Sequence, residues 1–118
     1  MTTEEKWRSI LDAKWPHNTV PADRKIMAKF IAILEETDGF DNGAYIKKEH
    51  GQIFVIFPSG ARVTRCYHLD TFSPPTLLYW RNLGIMKPQE RLEVPPSDEH
   101  IKNFLAQYWD KLFPKEEI

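Results

Sequence analysis

The stretch GQIFVIFPSGARVTRCYHL, residues 51–69, decides how the rest of the chain is read. An unbroken apolar run, Ile53 to Phe57, leads into Pro58-Ser59-Gly60 and then into a segment where apolar and polar side chains alternate. Proline fixes φ at the first corner of a turn and glycine accepts the left-handed position. The two runs therefore read as antiparallel strands over about 52–57 and 61–68. In the second, Arg62, Thr64, Cys66 and His68 share one face, while Ala61, Val63, Arg65 and Tyr67 share the other. The run Ile53 to Phe57 is apolar at every position and belongs inside a sheet, covered on both faces.

Upstream, AYIKKEH supplies another strand over about 44–49. His50-Gly51 joins it to the apolar run as a tight hairpin, because glycine accepts positive φ and histidine tolerates it better than branched residues do. A three-stranded antiparallel meander results.

Helical spacing surrounds this meander. TTEEKWRSILDAKWP predicts a helix over 3–15, with a threonine to accept from the first free amides, acidic residues in its first turn, and Pro16 as its stop. PADRKIMAKFIAILEETDGF predicts a second over 21–37, with Ile26, Met27, Phe30, Ile31 and Leu34 on one stripe and Gly39 as a left-handed cap. SPPTLLYWRNLG carries complete helix punctuation and predicts a short helix over 74–83, with Leu77, Trp80 and Leu83 on one side. Residues 85–96 hold Pro88, Pro95 and Pro96 and read as an extended surface segment. Ser97 opens a last helix over 97–113, whose Ile101, Phe104, Leu105, Tyr108, Trp109, Leu112 and Phe113 recur at helical spacing. The fold class expected is α+β. One domain over 1–118 packs the meander against two to three amphipathic helices, the C-terminal one completing the core.

The chain has 118 residues, 42% of them hydrophobic and 13% aromatic, and a formal net charge of −1. That balance argues against a protein held on nucleic acid by bulk charge alone. A single cysteine forms no internal disulfide. With TTEEKWRS following Met1 there is no signal-peptide pattern, and the longest apolar run is too short to span a membrane. A cytoplasmic protein with no membrane partner is the expectation.

Candidate chemistry centres on Cys66 and His68, neighbours on one strand face, where an imidazole could polarise a thiol. No glycine-rich or helix-start element adjoins the cysteine to build an oxyanion hole. Cys66, His68, Asp70 and His50 offer one loose pair of metal ligands, whereas structural zinc takes two close pairs. No phosphate loop, dinucleotide fingerprint or nucleophile elbow is present. The expectation is a non-enzymatic binding module with no catalytic residues, cofactor or metal.

Two groups suit binding. Tyr79, Trp80 and Arg81 are of the types enriched at interface hot spots, and on a short helix they cannot all face inward. They point to protein–protein interaction, as in an adaptor, accessory subunit or inhibitor. Lys47, Lys48, Arg62 and Arg65 form a basic hairpin, and point instead to nucleic acid bound in a winged-helix-like way. The coarse order of a helix, a meander containing GQIFVIFP and then WRNLGI resembles accessory DNA-processing modules.

Overall fold

A computed structural model describes residues 1–16, 21–66 and 72–115. Its elements run α1 (Thr3–Lys14), α2 (Pro21–Glu36), β1 (Tyr45–Glu49), β2 (Gln52–Ile56), β3 (Arg62–Cys66), β4 (Thr76–Arg81), β5 (Glu90–Val94) and α3 (Asp98–Leu112). The strands form one antiparallel sheet in the order β1-β2-β3-β4-β5. No helix among the described residues is long and apolar enough to cross a membrane.

The α+β class stands, but the sheet has five strands, not three. The segment expected as a helix over 74–83 is β4, and the supposed surface segment 85–96 contains β5. Leu77 and Tyr79 point into the core while Leu78 and Trp80 point out, a period of two hidden by apolar residues on both sides. Pairing Arg62↔Trp80 through Cys66↔Thr76 gives the far edge of β3 its backbone partners, which a helix would have left open. Gly84, expected past a helix end, instead takes φ +111 between β4 and β5.

The hairpin expected at His50-Gly51 is present, with φ 52 and 80 at its two central residues, as the primed turns require. After α2, however, the left-handed position falls to Asp38 (φ 63) and not to Gly39. Gly39 serves another purpose: a Cβ there would overlap the Leu34 side chain.

Thr2 caps α1 by accepting from the Glu5 amide at 3.1 Å, and Ser97 caps α3 by accepting from the His100 amide at 3.3 Å. All three helices lie on one side of the sheet or on each other. Met27, Phe30, Ile31 and Leu34 of α2 join Ile53, Val55 and Val63 in the core. From α3, Phe104 and Tyr108 pack on the Tyr79 ring with centroids 5.2 and 5.4 Å away. Phe57 meets Phe30 and Phe113 edge-on, closing the same core at its other side. α1 rests on α2, held by Leu11 in the core, by an Arg24–Asp12 ion pair and by the Trp7 indole N–H donating to Glu35 at 2.7 Å.

Candidate functional site

Because the helices cover one face, strand alternation sends every second side chain to the other, where no described helix meets it. The register lines up Tyr45, Ile56, Arg62, Trp80 and Arg91 as one row across all five strands. The next row on this face includes Lys47 opposite Phe54 and Leu78 opposite Glu93. Arg62 lies between two rings, its guanidinium 5.7 Å from the centroids of both Phe54 and Trp80. These side chains cover what lies beneath: Ile56 and Thr64 are buried although they belong to the open side. Thr64 turns its hydroxyl to the Ile53 carbonyl at 2.7 Å.

The charges on this face are largely matched. Glu49 accepts from Arg62 at 2.7 Å and pairs with Lys47 at 3.0 Å, and these contacts, Lys47 first, hold its carboxyl below the usual range. Arg91 is exposed, has no ion-pair partner among the described residues, and borders a notch of about 200 Å³ with Leu78, Trp80 and Gln89.

The two sets of residues expected to bind are both divided by the fold. Of Tyr79, Trp80 and Arg81, only Trp80 projects onto the open face. Tyr79 is fully buried and donates to Glu90 at 3.3 Å; burial and then the Glu90 charge push its phenol up to about 12. Arg81 also pairs with Glu90, at 3.4 Å, alongside Lys111 at 3.0 Å. Of the basic set, Lys47 and Arg62 share the open face. Lys48 points to the helix side beside Ile53, and Arg65 is buried against Asp23. The basic hairpin therefore does not present its four cations together.

Cys66 reaches the open face, where its thiol contacts Glu93 at 3.6 Å. Burial first, and then the Glu93 charge, push that thiol up, away from the thiolate a nucleophile needs. His68 and Asp70, proposed beside it for a metal or a base, lie outside the described residues, and so does Tyr67. No group of three His, Cys, Asp or Glu side chains among the described residues is placed to hold a metal ion.

Sequence reasoning passed over Tyr45, Phe54, Leu78 and Arg91. Tyr45 and Phe54 were legible as outward positions of two recognised strands. Leu78 and Arg91 were not, since their strands were read as a helix and a loop. Comparison with family models, with curated proteins and with solved structures returned no match.

Proposed function

We propose that this chain is a non-enzymatic binding module that uses the open face of its sheet to hold another protein. The observation that carries the reading is the row Tyr45, Ile56, Arg62, Trp80 and Arg91, with Phe54 and Leu78 behind it. Tyr, Trp and Arg concentrate binding energy at protein interfaces because each combines large apolar area with a polar end. Arg62 and Trp80 already pack against one another, so these two have less side-chain freedom to lose on association. The notch beside Trp80 suits one large apolar side chain of the partner, and Arg91 suits a carboxylate at its rim.

A second reading has its own observation. Three aromatic side chains share this face with Lys47, Arg62 and Arg91, the composition of a platform for single-stranded nucleic acid. Two features favour a protein. Lys47 and Arg62 are already matched by Glu49, and Arg62 occupies the ring faces on which bases would stack.

One experiment separates these readings. The tagged chain and its Trp80→Ala variant, both checked for folding by circular dichroism, are used to capture proteins from the native host. The expected result is a partner held by the parent chain and weakened by about 2 kcal/mol or more in the variant. Equal capture by both removes this face from the function. Retention on a single-stranded oligonucleotide column with steep loss as salt rises gives the result to the second reading.

A further inference from the structure

A cavity of about 400 Å³ opens on the helix layer, away from the open sheet face, where the start of α2 meets the turns flanking β4 and β5. Ala22 and Ile26 of α2 form one wall, and Pro74, Pro75 and Pro96 form the other. The antiparallel pairing that sets Leu77 opposite Val94 brings the start of β4 and the end of β5 to the same end of the sheet, so the prolines gather there. Proline rings have no rotamers to lose, and this wall keeps its shape whether or not it is occupied. The volume falls within the range of small-molecule pockets.

The mouth is charged asymmetrically. Lys25 and Lys29 stand one helical turn apart on the rim. Lys29 is shared with Asp98 at 3.4 Å, and the rim carboxylate Glu4 is shared with Arg8 at 3.3 Å. Lys25 is exposed and has no ion-pair partner among the described residues. The unmatched charge at an apolar hollow is thus a cation, which selects an anion with an apolar body. We infer that this cavity is a binding site for a small free organic acid, its hydrocarbon part against Ile26 and the prolines and its carboxylate at Lys25.

Hexanoate is the test probe, with hexanamide as its uncharged counterpart, each titrated into the ¹⁵N-labelled full chain at neutral pH. Hexanoate should shift the amides of Ala22, Lys25, Ile26 and Lys29 saturably, and hexanamide should bind about threefold or more weakly. Lys25→Gln should weaken hexanoate by a similar factor. Ala22→Phe, at an exposed helix position and checked for folding by circular dichroism, should fill the hollow and abolish the shifts. Scattered or absent shifts, equal binding of the amide, or undiminished binding to the Ala22→Phe chain would overturn the inference.

Discussion

Arg65 and Asp23 are 6% and 2% exposed and face one another between β3 and the first turn of α2. Alternation placed Arg65 on the side of Val63, which is the core side, yet its charge assigned it to a surface patch. Its partner was not legible, because nothing in the sequence distinguishes Asp23 from an ordinary first-turn acid. Burial raises the Asp23 carboxyl above its usual range, outweighing the attraction of Arg65 and Arg24, and burial likewise lowers the Arg65 guanidinium. Both charged forms are therefore held at a cost, and the contact between them offsets part of it. Removing Arg65 takes from the buried Asp23 carboxyl the larger of the attractions that Arg65 and Arg24 supply, and removing Asp23 takes the same attraction from the buried guanidinium. Arg65→Met alone should destabilise the chain by about 3–5 kcal/mol, while the pair Arg65→Met with Asp23→Leu should recover most of that loss. Urea unfolding of the two single variants and the double reads the coupling directly, and strictly additive losses would show that the two groups do not act as a unit.

At the scale of elements, α1 is attached to the body through α2, and one carboxylate is central to the attachment. Glu35 accepts from the Trp7 indole at 2.7 Å and from Lys6 at 3.1 Å. The indole bond above all, and then Lys6, lower its carboxyl below the usual value. A depressed carboxyl contributes stability that is fully present above the unfolded-state value and is lost as pH falls through the folded one. The stability gap between the parent chain and Glu35→Gln should accordingly be widest at neutral pH and close in acid, followed as thermal midpoints across a pH series. A gap independent of pH would mean that the ionised state of Glu35 contributes nothing to holding α1. The α1 and α3 helices were legible because each combines a cap, an acidic first turn and an apolar stripe, and α2 because Pro21 opens a long apolar stripe. β4 was misread because Ser73, Pro74, Pro75 and Gly84 punctuate a strand as readily as a helix. Its apolar outward residues removed the alternation that would have decided the matter. β5 was missed because prolines flank it and only Leu92 and Val94 mark its inward side.

For the whole molecule, the consequence is a layered body with one sheet face packed under the helices and the other, among the described residues, left without a helix over it. That asymmetry can be tested with a single residue type. Leu77 and Leu78 are adjacent on β4; Leu77 is buried under the helices, and Leu78 is half-buried on the open face beside the notch. Leu77→Ala removes methyl groups from a closed interior and leaves a cavity, at a cost of about 2–5 kcal/mol. Leu78→Ala removes the same atoms from a surface that water already reaches, so its cost should be about 1 kcal/mol or less. A helix over this segment would not give that ordering, since both leucines would lie near its apolar side. Urea midpoints with unchanged slopes measure both changes on one scale. Equal losses at the two positions would mean that the sheet is covered on both sides, and the open face would then cease to be a place where a partner can bind.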